Sequence, residues 1–99
     1  MNINELEVYL KLSLQRALLG NVTSNIRGVV ALLDDNQIYL TFYYDGEISE
    51  SDEEIASEIE TEVIADFDDK YTIDTQVKRF DSPQRIKLDK GFLVYLRKE

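Results

Sequence analysis

Between Asp45 and Asp69 the chain carries twelve carboxylates and not one Lys or Arg. Ile55, Ala56, Ile59, Val63 and Phe67 recur through this stretch at helical spacing, which predicts an amphipathic helix with a single buried stripe. The remaining positions are then committed to water or to a partner. Like charge gathered on one element weakens a fold unless something cationic meets it. The segment therefore points to binding rather than to chemistry.

The other elements follow from periodicity and punctuation. Residues 2–19 read as a helix, with Asn2 and Asn4 as acceptable N-caps, each followed three positions on by Glu, and Gly20-Asn21 as the stop. Ile3, Leu6, Leu10, Leu14 and Ala17 make its core stripe, and Val8, Leu12 and Leu19 lie almost opposite. That second stripe is either covered by neighbouring structure or is a contact for a subunit or partner. Residues 25–33 and 37–44 are rich in β-branched and aromatic side chains and flank the turn Asp34-Asp35-Asn36, a hairpin signal. In the second run Ile38, Leu40, Phe42 and Tyr44 alternate with Tyr39, Thr41 and Tyr43, so one face meets the helices and the other carries tyrosines outward.

Ser51-Asp52-Glu53-Glu54 reads as the capping box that opens the acidic helix. Further strands are expected over residues 71–80 and 91–97, joined by a loop that holds the only proline, Pro83. The order α-β-β-α-β-β, with local hairpins, predicts one α+β domain over residues 1–99. It should be a mostly antiparallel four-stranded sheet with two helices on one face.

Composition removes several function classes. With no Cys and no His, disulfides, thiolate nucleophiles, the usual zinc sites and imidazole acid–base catalysis are all excluded. A net charge of −9 opposes direct contact with nucleic acid or an anionic membrane and favours a basic protein surface. No apolar run approaches a membrane span, and no secretory signal pattern opens the chain, so a cytoplasmic location is expected. Asp66-Phe67-Asp68-Asp69 lacks the alternating ligands, central Gly and closing Glu of a calcium loop. Neither a metal nor a cofactor is expected, and the chain does not read as an enzyme. Arg79, Arg85, Lys87 and Lys90 form a loose basic group around one loop, read as solvated charge.

Glu54, Glu58 and Glu62 stack at i, i+4 spacing. They are either a solvated helix face or a row of carboxylates that imitates phosphates in the basic groove of a nuclease. Solvated faces ordinarily intersperse Lys and Arg, and this one does not. The turn Asp45-Gly46-Glu47 joins the tyrosine-bearing strand to the acidic helix, so tyrosines could anchor a contact that carboxylates steer. Alternatively, Tyr39, Tyr43 and Tyr95 stack across strands and stabilise the sheet. The candidate partner-binding residues are Tyr43, Asp45, Glu47, Glu50, Glu54 and Glu58. A competing possibility is an adaptor or assembly module that forms a homodimer through Val8, Leu12 and Leu19.

Four segments carry a resemblance over nearly the whole chain. They are Arg27-Gly28-Val29-Val30, the run from Phe42 to Glu47, the run from Thr61 to Phe67, and the closing run from Val94 to Glu99. Together they resemble a family of small acidic bacterial proteins that includes immunity proteins of contact-dependent growth-inhibition systems. The resemblance implies a cytoplasmic antidote that binds a cognate basic toxin domain, often a nuclease, and blocks it.

Overall fold

Six elements form in the expected order in a computed structural model that describes residues 2–98. They are α1 (Ile3–Leu18), β1 (Ile26–Asp34), β2 (Gln37–Tyr44), α2 (Glu50–Ala65), β3 (Thr72–Arg79) and β4 (Phe92–Leu96). Glu99, the last residue of the resemblance, lies outside the described residues. Asn2 caps α1 by accepting the Glu5 N–H at 2.9 Å, one of the four donors a helix start leaves free. Asp35 takes the left-handed conformation, φ 56°, in the two-residue turn between β1 and β2, a conformation Asp tolerates.

The sheet order is β3-β2-β1-β4. β1 pairs antiparallel with β2 and with β4, whereas β2 and β3 run parallel. A parallel pair needs a crossover, and α2 supplies it. The last two strands therefore do not form a hairpin. They occupy opposite edges, because β3 returns beside β2 and the only other free edge belongs to β1. Gly91 admits β4 to that edge: it holds φ +86°, and a Cβ there would stand 2.4 Å from the Ala31 carbonyl oxygen, inside any tolerable contact.

Both helices cover one sheet face. Leu10, Leu14, Ala17 and Leu18 of α1 and Ala56, Ile59 and Val63 of α2 meet Val29, Ala31 and Leu33 of β1 and Ile38, Leu40, Phe42 and Tyr44 of β2 in one buried cluster. The expected alternation of β2 is observed. Ile3, assigned to the same stripe, is instead 52 % exposed; it stands at the first helical position, where the sheet no longer lies beneath it. Tyr95 does not stack with Tyr39 and Tyr43. β1 separates their strands, and the register opposes Tyr95 to Val29, whose face packs on the helices.

The loop 81–90 crosses the other face. A Cβ at Gly28 would come within 3.0 Å of Ile86 Cδ1, and Lys87, Leu88 and Lys90 share a hollow of about 200 Å³ with Val30, Thr41 and Tyr43. The loop is held at its start by Arg27. A register shift between Ile26 and Gly28 turns this residue out of the ladder, and it is only 2 % exposed. Its guanidinium donates to the Phe80 carbonyl and, at 2.6 Å, to the Gln84 carbonyl. It also lies 5.9 Å from the Phe80 ring centroid.

One carboxylate of the acidic segment is structural. Helix α2 begins two residues earlier than Ser51-Asp52 implied: Ser49 is the N-cap, and its Oγ accepts the Asp52 N–H at 3.0 Å while Asp52 Oδ2 accepts the Ser49 N–H at 3.0 Å. Asn25, at the entry to β1, donates a further hydrogen bond of 2.8 Å to the same oxygen. Burial pushes the Asp52 carboxyl up, but the bonds from Ser49 and Asn25 outweigh it and hold the group below the usual carboxylate range. Beneath it, burial first and the Asp52 charge second push the Tyr44 hydroxyl up to about 12.

Because the folded carboxyl is the stronger acid, its contribution is fully present above the unfolded value, roughly pH 4. It is lost as pH falls through the folded value. Asp52→Ala should cost about 1–3 kcal/mol in urea unfolding at neutral pH, and Asp52→Asn should flatten the acid limb of the stability–pH curve.

Candidate partner-binding surface

The local sequence of α2 sorts its carboxylates by direction. Ile55, Ala56, Ile59 and Val63 turn toward the core, so Glu50, Glu54, Glu58 and Glu62, four residues apart, form a continuous exposed ridge. A second row, Glu53 and Glu60, flanks Ala56 and Ser57 on the side facing β3. Among the described residues no Lys or Arg forms an ion pair with any of these six.

The available cations act at the ends of the acidic segment. Arg16 of α1 reaches Asp66 at 3.0 Å, and Ser13 donates to the same carboxylate oxygen at 2.6 Å. The pair meets the acid at the C-terminal end of α2, where the helix dipole disfavours it. At the other end Arg97 binds Asp45 at 3.0 Å. Asp81 accepts Arg79 Nε at 3.1 Å and the Gly46 N–H at 2.7 Å. The Arg79 hydrogen bond first, and then the Gly46 N–H, hold the Asp81 carboxyl below its ordinary range.

The six candidate residues therefore occupy different environments. Glu50, Glu54 and Glu58 share the exposed ridge. Glu47 is exposed and lies in the field of Arg79. Asp45 belongs to the clasp around the β2–α2 turn, where it also accepts the Ser82 N–H at 3.3 Å. Tyr43 lies on the sheet face that the helices do not cover, with its ring 5.9 Å from Phe80 in an edge-to-face arrangement. It does not adjoin the acidic ridge; the sheet stands between them.

Two features were not singled out in the sequence. The Glu53–Glu60 row is legible only once β3 is known to lie beside it, although its i, i+7 spacing around two small residues was a signal. Tyr9, Phe67 and Tyr71 form an edge-to-face cluster with centroid separations of 5.2 and 5.0 Å, beside a hollow of about 440 Å³ at the C-terminal end of α2. The second apolar stripe of α1 is uncovered: Val8, Leu12 and Leu19 are 57, 54 and 77 % exposed. Among the described residues no acidic group converges in a metal-ligating arrangement, and no helix is long and apolar enough to cross a membrane.

Fold and surface define a small acidic α+β domain whose charged helix faces outward. The chain belongs to the MafI2 immunity protein family, whose model matches residues 7–99. Membership makes a toxin the expected class of partner. The match supports the resemblance at the level of an immunity protein family; it does not itself show a contact-dependent growth-inhibition system. Comparison with curated proteins gives no match.

The uncompensated ridge has a measurable stability consequence. Each like-charge i, i+4 contact costs roughly 0.2–0.5 kcal/mol in an isolated helix. Glu54→Gln with Glu58→Gln should therefore raise the melting temperature by roughly 2–5 °C at low ionic strength, and the gain should shrink in ~1 M salt.

Proposed function

We propose that this immunity protein neutralises a basic toxin domain, of the nuclease class, by presenting the carboxylates of α2 to the groove that would otherwise hold phosphates. A single observation carries this: six exposed or half-buried carboxylates on α2 have no partner cation among the described residues, while Arg16, Arg79 and Arg97 are engaged elsewhere. The arrangement sacrifices some stability and gains steering. Charge complementarity sets encounter rate and selects the partner, while tight binding needs desolvated contacts beside it. Delivery of the toxin by a contact-dependent system, and neutralisation in the cytoplasm of the recipient, complete the proposal.

Glu54→Lys with Glu58→Lys should leave the fold intact and weaken protection of cells that express the toxin domain. Unchanged protection, with normal protein levels, would remove the ridge from the mechanism. A second reading, self-association as an adaptor, is favoured by the exposure of Val8, Leu12 and Leu19. For it, size-exclusion chromatography across concentration should reveal a constitutive dimer that Leu12→Glu dissociates; a monomer at every concentration would exclude it.

A further inference from the structure

We propose that the toxin contributes an extended basic segment that adds as a fifth strand to the outer edge of β3, beneath the Glu53–Glu60 row. This deepens the toxin-binding reading above and rests on it. β3 is hydrogen-bonded only to β2. The N–H of Thr72 bonds the Asn36 carbonyl at 2.9 Å and that of Phe80 bonds the Tyr44 carbonyl at 2.8 Å, so both point inward. The register between them is unbroken. Alternation along a strand then turns the N–H and C=O of Ile73, Thr75, Val77 and Arg79 outward, where the sheet supplies no partner. Those of Ile73, Thr75 and Val77 form a template at the two-residue repeat of an incoming strand.

The opposite edge is less suited. β4 has five residues and its pairing is interrupted between Val29 and Val30, the kind of irregularity that discourages strand addition. Beside β3, by contrast, α2 leaves room. Glu53, Ala56, Ser57 and Glu60 face Thr75 and Val77 across a groove of about 200 Å³, with the two small residues at its centre. Thr75 Oγ1 is buried and has no hydrogen-bond partner, an unmet polar group that an occupant can satisfy.

Charge decides what the occupant is. Neither Glu53 nor Glu60 has a cation partner among the described residues. Seven helical residues separate them by about 10 Å, the span of three to four strand residues. Basic side chains on one face of the added strand reach both carboxylates. The cations of the edge itself, Lys78 and Arg79, stand at its C-terminal end, and Arg79 is held by Asp81, so the accepting stretch is Thr72 to Val77.

The test uses the full chain and its purified cognate toxin domain. Thr75→Pro removes an outward N–H that the β2 ladder does not use, a substitution edge strands tolerate. It should weaken binding about tenfold or more with little change in melting. Glu53→Lys with Glu60→Lys should weaken it at least as much. In the wild-type complex the amides of Ile73, Thr75 and Val77 should exchange more slowly than in the free chain, a readout that stands even if Thr75→Pro does not fold. Wild-type affinity in Thr75→Pro, or unchanged exchange at those amides in a stable complex, would overturn strand addition and leave toxin binding standing. Failure of the wild-type chain to bind the toxin domain at all would instead overturn the toxin-binding reading, and this inference with it.

Discussion

A helix with carboxylates on every side but one can bury only a single seam, and most of this architecture follows from that constraint on α2. Its seam of Ala56, Ile59 and Val63 must meet a sheet, and its remaining surface must stay outside. As an outer layer it becomes the crossover that returns β3 parallel to β2. That return places β3 at one edge and leaves β4 to close the other. Asp52 fixes where the helix starts by drawing one carboxylate inward among the donors of Ser49 and Asn25, so the same hydrogen bonds tie the entry of β1 to the start of α2.

The distribution of cations separates the acids that hold the fold from those that do not. Arg16 and Arg97 neutralise Asp66 and Asp45 at the two ends of the acidic segment, where α1 and the C-terminal strand meet it. The middle is left alone. A chain selected only for stability has a simple remedy in an interspersed Lys at i+4, and none of the 25 positions from Asp45 to Asp69 uses it. Self-repulsion of this kind is a cost to the folded state, and the basic toxin proposed as partner would offset it.

Where local pattern decided structure, the sequence was legible. The alternation of β2, the β1–β2 turn and the apolar seam of α2 all depend on neighbours within a few residues, and each appears as read. What escaped was set at long range. Nothing near Thr72 announces that β3 will run parallel to β2, and nothing near Arg27 announces a buried guanidinium that holds Phe80 and Gln84. The same limit applied to the surface. The i, i+4 ridge of Glu54, Glu58 and Glu62 could be seen on a helical repeat, but the position of Tyr43 on the far side of the sheet, the engagement of Asp45 with Arg97, and the groove between Glu53, Glu60 and Thr75 required the assembled sheet.

The central claim is that the unpaired carboxylates of α2 exist for a basic partner. The most direct measurement is the association rate of this chain with its toxin domain as ionic strength is raised from ~20 mM to ~500 mM, a range over which the screening length falls from well above to well below 10 Å. Electrostatic steering predicts an association rate that drops at least tenfold across that range, with a much smaller change in dissociation. An association rate that does not respond to salt would contradict it and return the acidic helix to the status of a solvated face.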